Sequence, residues 1–192
     1  MDKISLPAAD FTETTLSSKP AYDGALLKVR EDEVRLPDGK SAKREYVEHP
    51  GAVIIVAQLN NGDVLLERQF RYPLRRHMIE LPAGKIEPNE DPLLTAQREL
   101  QEETGYTARD WRHLFTAHPC IGYSNERMEF YQATGLTLQG RQLDEGEFLQ
   151  VFTLPLEDAL ALLQSGGITD IKTIVGLYWL ERCSARYQQI QV

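Results

Sequence analysis

Three glutamates, Glu99, Glu102 and Glu103, stand close together in the stretch Arg98-Glu-Leu-Gln-Glu-Glu-Thr-Gly105. On a helix advancing about 100° per residue they share an arc of about 100°. Leu93, Ala96 and Leu100 fall on the adjacent arc. The apolar stripe can dock such a helix on a sheet and hold the three carboxylates at a cleft edge. Like charges at i and i+4 destabilise a helix by about 0.2–0.5 kcal/mol per pair, a cost that a bound cation removes. Carboxylate oxygens are hard ligands suited to magnesium or manganese, and magnesium typically keeps waters and takes substrate phosphate oxygens as further ligands. An oxygen-rich calcium loop of the EF-hand type is absent from the sequence. Taken alone, an acidic helix face is most often only a solvated surface, so the wider spacing has to decide.

The helix that carries these groups has clear ends. Asp91 stands at the cap position, Pro92 at the first helical position and Gly105 just past the last turn, which predicts a helix from Asp91 to Thr104. Upstream, residues Ala25–Arg30, Glu33–Leu36 and Lys43–Glu48 flank the turn Pro37-Asp38-Gly39-Lys40, the mark of a β-hairpin. His49-Pro50-Gly51 breaks the chain before the apolar run Ala52–Ala57. That run, the turn Asn60-Asn61-Gly62-Asp63 and Val64–Phe70 read as a second, more deeply buried hairpin. Downstream, Met128–Thr134 and Phe148–Leu154 read as strands joined by the polar stretch Gln139–Glu147. Pro155 opens a helix to Leu163, Gly166-Gly167 ends it, and Thr169 or Asp170 caps another reaching about Cys183. Ser184–Val192 is expected to be a loosely held tail. Hairpins and strands interspersed with helices give an α/β protein with a mixed β-sheet sandwiched between α-helices, and not a doubly wound parallel fold.

Composition limits the functions open to the chain. At 192 residues it fits one large domain or one domain with an extension. Of these residues 42% are hydrophobic and 26% charged, and mean hydropathy is -0.39 without an apolar run of membrane-spanning length. The start MDKISLPAADFTETT has neither a secretory apolar stretch nor the acid-poor character of a mitochondrial leader, so the expected compartment is cytoplasmic, with no membrane partner. The net charge of -8 argues against nucleic acid as a partner. Cys120 and Cys183 are too few for a disulfide framework or a cysteine zinc cluster. His49, His77, His113 and His118 show no metal-ligand spacing.

The longer segment from Gly84 to Tyr106 resembles the Nudix box, G-x5-E-x7-R-E-U-x-E-E-x-G-U, matched at Gly84, Glu90, Arg98, Glu99, Leu100, Glu102, Glu103 and Gly105. Tyr106 fills a position that is more often aliphatic. With each specified residue at roughly 6% abundance, a chance match in a chain of this length is on the order of 10⁻⁷. Glu67-Arg-Gln-Phe-Arg71-Tyr-Pro, Glu80-Leu-Pro-Ala-Gly84 and Pro119-Cys-Ile-Gly-Tyr-Ser-Asn-Glu126 are similar to segments of the ADP-ribose pyrophosphatase branch of that family. So is the N-terminal β-rich extension, residues 1–48, preceding a hydrolase domain at 49–192.

The resemblance implies the Nudix fold with an N-terminal antiparallel β extension exchanged across a homodimer. It also implies Mg²⁺, with Mn²⁺ as a substitute, acting on a small-molecule nucleoside diphosphate sugar. Carried over position by position, the metal would take the Ala83 carbonyl, Glu99, Glu103 and Glu147. Arg98 would orient the glutamates, Glu102 would be a ligand or support one, and Glu145 would be the catalytic base. Glu90 would support the loop and helix, and Gly84 would permit close backbone approach. Arg71 would bind phosphate through its fork of donors, and Arg44 on the extension would reach the partner's nucleotide. The implied reaction is hydrolysis of ADP-ribose to AMP and ribose 5-phosphate. Two rivals stand beside it: hydrolysis of GDP-mannose or another nucleotide sugar, and a non-catalytic sensor of ADP-ribose.

Overall fold

The computed structural model describes residues 8–141 and 148–190, with 183–190 as helix backbone alone. The described residues form two compact units. One runs up to His49 and takes in Cys120–Glu126; the other comprises Pro50–Pro119 and the described part of Arg127–Val192.

The first unit is an antiparallel sheet of β1 (Thr14–Asp23), β2 (Lys28–Arg35) and β3 (Ser41–Glu48) in the order β1-β2-β3. The Asp38-Gly39 turn joins β2 to β3 as the sequence predicts, with Gly39 at φ +86° and its N–H bonded to the Leu36 carbonyl. Strand β1 is not legible in advance. Its sequence TTLSSKPAYD lacks apolar alternation, and every residue of it is exposed. The Cys120–Glu126 segment is tied to β3 by the Val47 N–H on the Tyr123 carbonyl and the His49 N–H on Asn125 Oδ1.

In the second unit, β4 (Ala52–Ala57) is buried on both faces, which is why it reads as an unbroken apolar run. Alternate side chains serve different cores. Ile54 and Val56 pack with Val64, Leu66 and Phe130 against Ala159, Leu177 and Leu180 of α2 (Leu156–Gln164) and α3 (Ile171–Ile190). Val53, Ile55 and Ala57 pack with Leu65 and Tyr131 against Ala96 and Leu100 of the acidic helix. This is the helix-covered mixed arrangement expected, since β4 pairs in parallel with β9 (Met128–Leu138) and antiparallel with β7 (Ala83–Lys85). Strand β8 (Tyr106–Ala117) completes the sheet β7-β4-β9-β8.

The second hairpin expected from the sequence is corrected. The turn at Asn60–Asp63 forms, but β5 (Val64–Arg71) joins β6 (Arg76–Glu80) and β10 (Leu149–Leu154) in a separate sheet. Between the two arms there is a single bridge, Gln58 to Val64. β4 and the first half of β5, Val64–Glu67, are buried on both faces, so each needs covering layers that a flat two-stranded ribbon would not provide. The expected end of the last helix near Cys183 is corrected too: the backbone of α3 continues as helix to Ile190. Asp170 caps that helix through the Thr173 N–H at 3.0 Å.

Candidate active site around the acidic helix

The helix α1 (Pro92–Glu99) starts where its sequence dictates. Asp91 accepts the Leu93 N–H at 2.8 Å, and Pro92 fills the first position. From Leu100 to Thr104 the winding widens to a π-turn, which ends at Gly105 with φ +78°. Periodicity of 3.6 residues cannot foresee such a turn; π-turns often occur at functional sites. Within it Glu103 is buried, only 6% exposed, and its Oε2 accepts the Ala83 N–H at 3.1 Å.

Arg98 organises the acidic face. Its Nε and Nη2 each lie 3.1 Å from a different oxygen of Glu90, while Nη1 lies 2.8 Å from Glu102 and 2.9 Å from Glu99. Glu90 also accepts the Thr95 hydroxyl at 2.8 Å and the Glu87 N–H at 3.3 Å. The Arg98 bond, foremost, outweighs desolvation and with these donors holds the Glu90 carboxyl down to about 2. The same bond leads the causes that keep the guanidinium charged well above its ordinary range. A Cβ at Gly84 would lie 1.9 Å from Cδ of Glu99, so glycine leaves room for that side chain. Glu99 therefore rests directly on the β7 backbone.

A second cluster adjoins Glu103 from β5 and β6. Glu67 and Glu80 are directly opposed across the ladder, and both are almost fully buried. Arg71 grips Glu80 with Nε at 2.7 Å and Nη2 at 2.8 Å, and Lys172 of α3 pairs with the same carboxylate. Burial pushes the Glu80 carboxyl up, but Arg71 and Lys172 outweigh it and hold the group below the usual range. Among the described residues no N–H or hydroxyl donor meets either oxygen of Glu67. The carboxyl facing it is that of Glu103, so a bond between the two needs a shared proton. Burial, and then the charge of Glu80, push Glu67 up to about 8.

The structure thus brings together Ala83, Gly84, Arg98, Glu99, Glu102 and Glu103, with Glu90 bracing them. Arg71, expected to bind phosphate, has two of its three nitrogens engaged by Glu80, and its side chain is 44% exposed. Its charge is within electrostatic reach of Glu103. Arg44 belongs to the first unit, where its Nε donates to Glu13 at 2.8 Å. Glu145 and Glu147 lie outside the described residues. Glu67, Glu80 and Lys172 received no role from the sequence. An acid closing the apolar run Val64-Leu65-Leu66 was the available signal for Glu67; nothing local marked Lys172.

Among the described residues no three carboxylates are grouped to hold an ion, because Arg98 draws Glu99 and Glu102 towards itself and Ala83 takes Glu103. The donor set nonetheless fits a hard divalent cation. It is all oxygen, it includes the donor-poor Glu67, and it lies against a backbone cleared of Cβ at Gly84.

Family comparisons agree with this geometry. Residues 48–174 match the model of the NUDIX domain. The chain belongs to the Nudix hydrolase family. Residues 13–47 match a second model, the nucleoside diphosphate sugar hydrolase N-terminal domain. Over 171 residues, covering 88% of this chain and 92% of the relative, it is 39% identical to the ADP-ribose pyrophosphatase of Bacillus subtilis (strain 168). Over 173 residues it is 38% identical to the methanol dehydrogenase activator of Bacillus methanolicus, covering 89% and 94% of the two chains. A crystal structure of an ADP compounds hydrolase shares the Nudix fold at a TM-score of 0.81 and 23% identity, over 94% of this chain and 98% of the other. Nudix hydrolases generally use divalent metal ions. Among the described residues no helix is long and apolar enough to cross a membrane.

Proposed function

We propose that this Nudix hydrolase cleaves the diphosphate of ADP-ribose, or of a closely related nucleoside diphosphate sugar, adding one water to give AMP and ribose 5-phosphate. The observation that carries the reading is the juxtaposition of Glu99 on the Gly84 backbone with Glu103 on the Ala83 N–H. It sets the acidic helix against the preceding strand β7 as one oxygen-rich wall. Similarity along most of the chain to a relative named for ADP-ribose hydrolysis supports the substrate class.

Glu99, Glu103 and the Ala83 carbonyl, with Glu147, would hold Mg²⁺ or, in its place, Mn²⁺. Bound there, the cation would supply neutralisation of the diphosphate and Lewis-acid stabilisation of charge at phosphorus. Arg98 keeps Glu99 and Glu102 oriented through its Nη1 bonds. Arg71, half-exposed and set by Glu80, offers its remaining nitrogen, Nη1, to a phosphate oxygen. Glu145 takes the proton of the attacking water. Residues 1–48 are exchanged across a homodimer, and Arg44 there contacts the partner's nucleotide.

Turnover across ADP-ribose, GDP-mannose and further nucleotide sugars, with Mg²⁺ and with excess chelator, tests this. AMP formed fastest from ADP-ribose and abolished by chelator is expected. Preferred cleavage of GDP-mannose would move the substrate assignment. Tight binding of ADP-ribose without product would replace catalysis by sensing.

A further inference from the structure

We propose that Glu67 is an additional oxygen ligand for a divalent cation, offered from strand β5 opposite Glu103 and lying outside the glutamate box. Glu67 follows Val64, Leu65 and Leu66, all fully buried, and is itself 1% exposed. It shares the strand face of Leu65, the face that packs with Ala96 and Leu100 of the acidic helix. An apolar side chain would suit that position with no desolvation cost. The chain instead places a carboxylate there, directly opposite a second one, Glu80, an arrangement that like-charge repulsion disfavours.

The cations near this pair are committed elsewhere. Arg71 binds Glu80 through two nitrogens, and Lys172 pairs with Glu80 and with Asp170. Glu103 is occupied by the Ala83 N–H. Among the described residues no donor is directed at either oxygen of Glu67, and the group its carboxyl meets is that of Glu103. Two facing carboxylates, one of them without a protein donor, make an oxygen pair that a hard divalent cation can bridge. The inference rests on the cation-dependent reading above and extends it by one ligand from the sheet.

The test measures Mn²⁺ binding to the full chain without substrate, by electron paramagnetic resonance of free Mn²⁺, for wild type, Glu67→Gln and Glu103→Gln. Melting in EDTA and in Mn²⁺ accompanies it. The expected result for Glu67→Gln is a fall of one in bound ions, or a dissociation constant raised about tenfold, the scale on which supporting residues of metal sites act. Its melting temperature in EDTA should stay near that of wild type, because Gln keeps the size and shape of the Glu67 side chain, while the rise produced by Mn²⁺ should shrink. Unchanged stoichiometry with a dissociation constant within fivefold of wild type overturns the proposal. If Glu67→Gln does not fold, Glu67→Asp, which keeps the charge but withdraws the oxygens, is read against the same threshold. Loss of Mn²⁺ in Glu103→Gln with wild-type binding in Glu67→Gln rejects the Glu67 ligand and leaves the box reading intact. A wild type that binds no Mn²⁺, or binding unchanged in both variants, rejects both.

Discussion

Arg98 holds Glu90 through two parallel contacts, Nε to Oε1 and Nη2 to Oε2, each 3.1 Å long. Glu90 sits on the loop before α1 and Arg98 on its last turn, so this pair clamps the loop to the helix. The third nitrogen is left to steer Glu99 and Glu102. Arg98, which the family resemblance casts as the group that orients the glutamates, is therefore the hub of the acidic face.

Replacing Glu90 by Gln should lower the melting temperature at neutral pH by about 2–4 °C. That corresponds to about 1 kcal/mol in a chain of this size, a bidentate charge-assisted pair discounted for its partial exposure. The pH dependence has a fixed sign. The folded carboxyl is held down to about 2 against an ordinary 4.5, so its contribution is complete above about 4.5 and is lost as pH falls towards 2. Urea unfolding of wild type and variant at stepped pH should show the gap closing over that window. A gap that widens on acidification would contradict the clamp.

Gly84→Ala should separate folding from function. The added Cβ meets the far end of the Glu99 side chain, a flexible group that can swing aside. Thermal melting should stay within about 2 °C of wild type, a surface-sized effect, while the Mg²⁺ concentration for half-maximal rate rises about tenfold. An unaltered Mg²⁺ requirement would mean that the seating of Glu99 on β7 does not matter to the cation.

Much of the fold was readable because local signals agreed. Asp91, Pro92 and Gly105 mark the acidic helix on both sides, and the run Ala52–Ala57 declares a strand buried on two faces. The failures have physical causes. Strand β8 carries a register shift between His113 and Phe115 and charges among its aromatics, so its alternation is broken. The divergence of β4 and β5 into different sheets depends on covering layers contributed from far along the chain. In the site, the box spacing located Glu99, Glu103 and Gly84, whereas the Glu80–Arg71–Lys172 triad joins β5, β6 and α3 and has no one-dimensional signature.

Arg71→Ala tests whether one side chain has two duties. Glu80 is 2% exposed and would keep Lys172 as partner, so destabilisation should be moderate, about 1–3 kcal/mol. With Arg71 as the proposed phosphate ligand, KM for ADP-ribose should rise about tenfold or more. Arg71→Lys, which keeps the charge without the planar fork, should recover stability better than KM. Equal recovery of both would confine Arg71 to bracing Glu80.

The N-terminal sheet predicts association. Its β1 is exposed along its whole length, and Phe11, Leu16, Tyr22, Leu26 and Leu27 are exposed apolar side chains on a unit of few buried residues. Light scattering at micromolar concentration should give about twice the 21.8 kDa chain mass. Removal of residues 1–48 should yield a monomer of lower activity. A wild-type monomer, with activity unchanged on trimming, would exclude the exchanged extension.

The last prediction separates Glu145 from Glu147 by what each must do. A base and a ligand fail differently. A general base contributes about 10²- to 10⁴-fold to rate. Glu145→Gln should therefore lower kcat by that order while the Mg²⁺ requirement and KM stay near wild type. Glu147→Gln should instead raise the Mg²⁺ concentration for half-maximal rate, and excess Mg²⁺ should restore much of kcat. Rates of both variants across a Mg²⁺ titration at saturating ADP-ribose give the answer. Near-normal kcat in Glu145→Gln would pass the role of base to Glu102. Since Glu102 is tied to Arg98 at 2.8 Å, Arg98→Ala should then change the pH profile of kcat, whereas with Glu145 as base it should act mainly through the Mg²⁺ requirement.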